Sequence, residues 1–375
     1  MTHTQRLHGL DFLRALMMSL GIVFHAAQMY THMNVLDYYW DPARSLSMDI
    51  IMVFINTFRM PVFFALSGFF TALLYFRHGS AYMLKNRWQR VVLPFLILLP
   101  PLAMAMSTLR VVAYQLMEDG SWAFNPSLVS SKLMWDNTHN LWFLYYLMLM
   151  VITAGIALKI KPVLNVNKSC TNLSLLGTKV MLSGIVVLTL LGSLSPSGRI
   201  SADVSFIPNW KVYSYFGICF LLGWIIYSNI KQLQDLAKYA IASLIIAVLF
   251  LFAALACFSQ KTDDNSLWHW GLSLFSALSV YCFICGFFGL FSKLFKQYSP
   301  WVRYFSDSAY WIFIFHSIPM VIIALPLHFL PLIAELKFLI VCTLTMAACL
   351  WTYQKWVRYG GLGELLNGKR YKHSI

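Results

Sequence analysis

The sequence predicts an all-α integral membrane protein of about ten transmembrane helices with both termini in the cytoplasm. Three observations lead there. Residues are 59% hydrophobic and only 11% charged, with a mean hydropathy of +0.66, whereas a soluble domain carries about 25% charged residues. The apolar residues are gathered into runs of spanning length. Lys and Arg collect in alternate connecting segments. A surface this apolar cannot face water, and the bilayer is the solvent that accommodates it.

The expected spans lie at about 10–30, 50–76, 91–114, 141–160, 180–195, 212–230, 239–258, 267–291, 304–325 and 334–354, the fifth being the shortest. Between them the longest polar stretches are 115–138, 161–179 and 196–211, none long enough for an independent soluble domain. Residues 1–375 therefore read as one transmembrane domain with no appended soluble domain and no internal repeat. With the N-terminus inside, all Lys and Arg fall on the cytoplasmic side except Arg44, Arg59, Arg110, Lys132, Arg199, Lys211, Lys261 and Lys337. That bias favours an even number of spans. It puts 115–138 and His139 outside and the Lys85–Arg90 segment in the cytoplasm.

The net charge of +14 does not point to nucleic acid, because the basic residues form no patch and follow the loops. The seven cysteines give no disulfide framework. Cys219, Cys282, Cys285, Cys342 and Cys349 lie inside apolar runs, and Cys282-x-x-Cys285 lacks a second ligand pair, so no metal site is expected. Asp11 and Arg14 interrupt the first apolar run, which reads as a retained span rather than a signal peptide.

Ionisable residues inside spans are costly, about 2.5–3.5 kcal/mol for Arg or Asp at a helix centre, and usually mark function. The first span carries Asp11, Arg14 and His25. Eleven residues close within roughly 20° of three turns, so Arg14 and His25 share a face, about 16 Å apart along the axis. Asp11, one turn earlier, lies near the same face and is either part of this polar stripe or an interfacial partner of Arg14. The second span contains Arg59, Pro61, Ser67 and Gly68. Pro61 frees a backbone carbonyl and Gly68 permits close helix approach. Arg59 needs a partner, for which Asp49 or a substrate oxygen would serve.

Arg87 and Arg90, followed by Pro94, form a cytoplasmic turn. They suit either a phosphate-bearing ligand or simple positive-inside anchoring. His139-Asn-Leu-Trp142-Phe opens the fourth span, with Trp142 as an interface aromatic. Ser308 and His316 lie eight residues apart near one face of the ninth span. There is no HExxH, P-loop or nucleophile elbow.

Taken in order, Leu10-Asp-Phe-Leu-Arg14 with His25, Phe63-Phe-Ala-Leu-Ser67-Gly68-Phe, Arg87-x-x-Arg90-x-x-x-Pro94, His139-Asn-Leu-Trp-Phe143 and Ser308-x-Tyr310…His316-x-x-Pro319 resemble the membrane-bound acyltransferase 3 family. The resemblance covers about 7–320. The Phe58-Arg59-Met60 and His139-x-Leu-Trp-Phe-Leu forms are similar to its glucan biosynthesis protein C branch, which attaches succinyl groups to osmoregulated periplasmic glucans. The resemblance implies a multi-pass acyltransferase of the bacterial inner membrane. It would move a succinyl or acetyl group from cytoplasmic acyl-CoA to a hydroxyl of an extracytoplasmic glycan.

The partners expected on that basis are acyl-CoA as donor substrate, a glycan acceptor and the lipid bilayer, with a homodimer allowed, no nucleic acid and no permanently bound cofactor. Arg14, Arg87 and Arg90 would hold the CoA phosphates. His25 would act as general base, or as a transient acyl carrier. His139, Arg59, Ser67 and Ser308 are candidate oxyanion donors, and His316 would orient His25 or line the acceptor path. The competing expectation is a secondary transporter of an anionic solute, since intramembrane His, Arg and Asp also mark transport relays.

Overall fold

The computed structural model describes residues 8–33, 35–36, 39–120, 137–160, 173–229, 233–262, 266–295, 299–368 and 371. Most of the expected outer loop at 115–138 lies outside them. So do Arg6, Lys132, Lys161, Lys168, Lys231, Lys296, Lys369, Arg370 and Lys372, on which the topology expectation partly rests.

Helices α1 (His8–Gln28), α2 (Leu46–Arg87), α3 (Leu93–Asp119), α4 (Trp142–Ile160) and α5 (Leu173–Gly192) come first. They are followed by α6 (Trp210–Ser228), a short α7 (Leu233–Lys238), α8 (Ala240–Gln260) and α9 (Leu267–Leu294). The chain continues with α10 (Pro300–Phe315), α11 (Ser317–Leu327), α12 (Ala334–Thr352) and α13 (Gly361–Asn367). Single π-helical turns occur at Trp88–Val92 and Tyr353–Val357. Among the described residues there is no strand, only an isolated β-bridge between Asn137 and Ser205.

Every expected span falls on helix, but the helices divide differently. Among the described residues, seven are long and apolar enough to cross a membrane, or eight if α10 and α11, bent by 63°, count as one. The fifth expected span is a shorter apolar helix, Met181–Gly192. The second and third belong to one helical stretch, Leu46–Glu118, of 73 residues. A straight helix of that length would reach about 110 Å, several times the roughly 30 Å hydrocarbon core. The stretch is broken at Gly79, whose φ of 82° and ψ of 173° are non-helical and open to glycine without steric cost. The break thus falls inside the expected connecting segment 77–90, but at Gly79 and ahead of Arg87 and Arg90, which are helical. Arg87 ends a helix that runs through a π turn directly into α3, with Pro94 at its start.

α1 packs against α2, α9, α10, α11 and α12. Around it, α2 packs along α6, where Gly68 and Gly223 bring backbones into contact. A Cβ on Gly68 would lie 1.9 Å from the Phe220 carbonyl oxygen, and one on Gly223 would lie 1.7 Å from that of Ala65. Small residues thus do for α2 and α6 what they commonly do between membrane helices, allowing close van der Waals packing. Trp142, expected at the interface, is instead buried against Phe64, Tyr146 and Phe216. Tertiary packing of its apolar neighbours outweighs the interfacial preference of the lone indole.

At the end of α1 beyond His25, the following loop is pinned by charge. Lys337, fully buried in the first turn of α12, donates to both Asp41 oxygens at 2.8 and 3.0 Å. Tyr39 donates to Asp41 and to the Ala324 carbonyl. Ser45 caps α2, and both Ser45 and Ser47 donate to Glu335.

Candidate active site

The site is built on one face of α1. Positions 11, 14, 18, 21, 25 and 28 alternate three and four residues apart, which keeps them on a single stripe. The sequence alone places Asp11, Arg14 and His25 there, and the structure adds Met18, Gly21 and Gln28.

The first three positions border a cavity of about 300 Å³. Arg14, Arg87, Arg90 and Arg303 line it, with Asp11 and Asp307 as its acids, Phe63, Phe70 and Phe143 as apolar wall and Ser67 beside them. Two of the basic residues are neutralised locally. Arg14 lies 3.4 Å from Asp11 and over the Phe70 ring, and Arg303 Nε donates to Asp307 at 2.8 Å. Arg90 Nη1 donates to the Leu366 carbonyl at 3.1 Å, and its own carbonyl accepts from Tyr310. Arg87 is different, because its Nε and Nη2 are buried with no hydrogen-bond partner. Buried polar groups are normally paired, so Arg87 is the cation best placed to gain from an anion. Arg14, Arg87 and Arg90 act electrostatically on one another, an arrangement that favours a polyanion.

One turn further along α1 the chemistry changes. Gly21 leaves room for two side chains from other helices. A Cβ there would lie 2.8 Å from Arg59 Nη1 and 3.7 Å from His316 Nε2. One further turn on, the His25 ring lies 5.4 Å from that of His316, centroid to centroid. His316 Nδ1 faces the carbonyls of Ile312 and Phe313 at 3.0 and 2.8 Å, so it carries the proton and Nε2 keeps its lone pair. That Nε2 is buried without a partner. His25 Nδ1 lies 2.8 Å from Gln28 Oε1. With the amide oxygen so assigned, Nδ1 donates and Nε2 is the basic nitrogen. Contrast His269, a buried histidine whose Nε2 is taken up by the Ser193 carbonyl at 2.9 Å.

Arg59 does not pair with Asp49. The two are ten residues apart on α2, about 15 Å along its axis, and Asp49 accepts from both the backbone N–H and Nδ1 of His32. Arg59 is buried instead with its guanidinium over the Phe24 ring at 4.7 Å and its Nε unpartnered. It acts electrostatically on both His25 and His316.

The other candidate residues lie around this core. Ser67 lines the cavity but donates to the Phe63 carbonyl, and the buried Ser308 likewise donates to that of Phe305. His139 is buried at the entry to α4, where its backbone N–H donates to Asn137 Oδ1. With φ of 48° it is the only non-glycine residue of positive φ among those described, a strained conformation of the kind that collects at functional sites. Sequence reasoning misses Gly21, Gln28, Arg303, Ser306, Asp307 and Asn367. The 3–4 spacing from Arg14 to His25 is the signal that reveals Gly21 and Gln28, and the i, i+4 pair Arg303–Asp307 is visible as a charge pattern.

Comparison with known proteins bears on the same residues. A family model described as an acyltransferase domain, that of the acyltransferase 3 family, matches residues 7–354, nearly the whole chain. The chain is 32% identical over 160 residues to glucans biosynthesis protein C of Salmonella typhi, covering 40% of this chain and 39% of that protein. It is 34% identical over 152 residues to glucans biosynthesis protein C of Escherichia coli K12, covering 39% and 37%. The matched part is thus about two fifths of the length of these curated relatives. No solved structure matches. With the family match running from the start of α1 through α12 into the π turn that follows it, this multi-pass membrane protein belongs to the acyltransferase 3 family.

Proposed function

We propose that the protein is an O-acyltransferase of the bacterial inner membrane, with both termini cytoplasmic. It transfers a succinyl or acetyl group from cytoplasmic acyl-CoA to a hydroxyl of an extracytoplasmic glycan such as a periplasmic glucan. What supports this most is the single α1 stripe, on which a cavity rich in arginine leads within two turns to a pair of histidines with basic nitrogens.

The donor's phosphates sit on Arg14, Arg87 and Arg90, and its thioester reaches the level of Gly21. The acceptor hydroxyl approaches from the other end of α1. His25 Nε2 removes the hydroxyl proton as the oxygen attacks the thioester carbon. The carbonyl oxygen takes up negative charge, and Arg59 is the donor best able to meet it. Ser67 and Ser308 already spend their hydroxyl protons within their own helices, whereas Arg59 has an unpartnered Nε. The C–S bond then breaks, and the thiolate recovers the proton from His25. The products are the glycan ester and CoA. His316 Nε2 orients the incoming hydroxyl.

The test is transfer of label from acetyl-CoA and succinyl-CoA in membrane vesicles, offered a panel of periplasmic-type glucans, with wild type and His25→Ala side by side. Label reaching a glycan only with the wild type supports the reading and names the donor; general acid–base loss alone should cost about 10²–10⁴ in rate. Equal transfer by His25→Ala would make His25 structural. Movement of an unmodified anionic solute, with no label on any acceptor, would replace the enzyme reading with transport.

A further inference from the structure

The family match ends at residue 354, yet the chain beyond that residue turns back onto the cavity. Leu366 and Asn367, from α13, are part of its lining. The Leu366 carbonyl accepts from Arg90 Nη1 at 3.1 Å. Gly368 lies flush against the same guanidinium, where a Cβ would sit only 1.5 Å from Nη2. Asn367 Nδ2 donates to the Asp307 carbonyl at 3.0 Å and to the Tyr353 hydroxyl at 3.2 Å. The Tyr371 hydroxyl donates to Asp307 Oδ2 at 2.5 Å, the oxygen that also accepts from Arg303 Nε. Arg358 lies over the Tyr371 ring at 5.1 Å.

We propose that α13, Gly368 and Tyr371 form a positioning element of the donor site, holding Arg90 in place and screening Asp307, and so setting the affinity for a polyanionic acyl donor. This rests on the reading of the cavity as the donor site. The need for it follows from charge. Asp307 lines a cavity that is to receive phosphates, and an unscreened carboxylate there repels them. Tyr371 brings an O–H dipole to that carboxylate without adding charge, and Arg303 brings a cation. The Leu366 carbonyl occupies one Arg90 nitrogen and fixes the plane of the guanidinium, leaving its remaining donors oriented. None of these residues touches the reacting atoms, so their loss changes donor binding and spares the chemical step.

The experiment measures donor KM and kcat separately, over a range of acyl-CoA concentrations, for the full chain in proteoliposomes. The variants are Tyr371→Phe, Gly368→Ala, Arg87→Ala and the double variant Tyr371→Phe with Asp307→Asn. Tyr371→Phe should raise donor KM by about fivefold, for one poorly screened charge near the donor, and Gly368→Ala should raise it by displacing the Arg90 guanidinium, both with kcat unchanged. Adding Asp307→Asn to Tyr371→Phe should bring KM back near wild type, because the charge that needed screening is gone. Wild-type KM in both single variants while Arg87→Ala raises it would overturn the positioning role and leave the donor site standing. A KM lowered by either variant would show that the segment competes with the donor, which also overturns the proposal, as would failure of Asp307→Asn to rescue. Wild-type KM in Arg87→Ala would remove the donor-site reading and this inference with it.

Discussion

Substituting Gly21 by alanine should slow acyl transfer by about ten- to a hundredfold while leaving the fold and the donor KM nearly untouched. The added Cβ lies 2.8 Å from Arg59 Nη1, against 3.4 Å for ordinary contact, so the guanidinium must retreat by about 0.6 Å. The clashing atom is the far end of a flexible side chain, and the retreat costs little energy. Alanine also gains about 1 kcal/mol of helix propensity over glycine, so stability should stay within about 1 kcal/mol of wild type. Catalysis is less tolerant. A misplacement near 1 Å costs about 10²-fold, and complete loss of an oxyanion donor costs about 10²–10³. A partial displacement of Arg59 therefore raises the barrier by about 1.4–2.7 kcal/mol. The arginines that would hold the donor are unaffected, since Arg14 lies two turns away and about 10 Å down the axis. Label transfer in proteoliposomes gives kcat and KM, and a melting curve in detergent controls for folding. Wild-type kcat in a well-folded Gly21→Ala protein would refute the argument, because the position of Arg59 would then not matter to the reaction.

Three other perturbations have expected outcomes. Gly68→Ala places a Cβ 1.9 Å from a backbone oxygen that cannot swing away, so α2 and α6 must separate; a loss of about 1–3 kcal/mol or more is expected as a lowered melting temperature. Lys337→Met strands the fully buried Asp41 and should cost about 3–5 kcal/mol in the same assay, most of it recovered when Asp41→Asn is added. Arg59→Gln keeps a donor but removes the charge, and should depress kcat more than donor KM in the transfer assay.

How much of the fold and site is legible in the sequence depends on which physical signals are local. Apolar runs are local, and each of the ten falls on helix. The face shared by Asp11, Arg14 and His25 is also local, a matter of helical period alone. Their function as a cavity wall is not local, because Arg303 and Asp307 come to line the same cavity as Arg14 only through the packing of α10 on α1. Spacing puts Gly21 on the stripe, but its meaning is the space it leaves for Arg59 and His316, which arrive from α2 and from the bend between α10 and α11. The cluster of charges at Lys85–Arg90 suggests a turn there, whereas the break is at Gly79. Charge density marks a membrane surface, but backbone conformation marks where a helix ends, and here they differ by several residues. A buried cation needs compensation, which is why the sequence points to Asp49 or a substrate oxygen as the partner of Arg59. The Phe24 ring supplies part of that compensation, a contact with no sequence pattern.

The two imidazoles hold their Nδ1 protons differently, His316 against backbone carbonyls of its own helix and His25 against a side-chain amide. Backbone acceptors do not turn, so the tautomer of His316 is fixed by the fold. In the proposed transfer, the proton lifted from the hydroxyl returns to the departing sulfur, and the balanced reaction releases none. The cycle can therefore close on Nε2 alone, without a wire to either aqueous phase. An enzyme built this way takes no driving force from a proton gradient across the bilayer it occupies, although a succinyl group carries its carboxylate outward through the membrane potential. Its direction is set by the free energy of the thioester on one side and not by the gradient that drives its transporter neighbours.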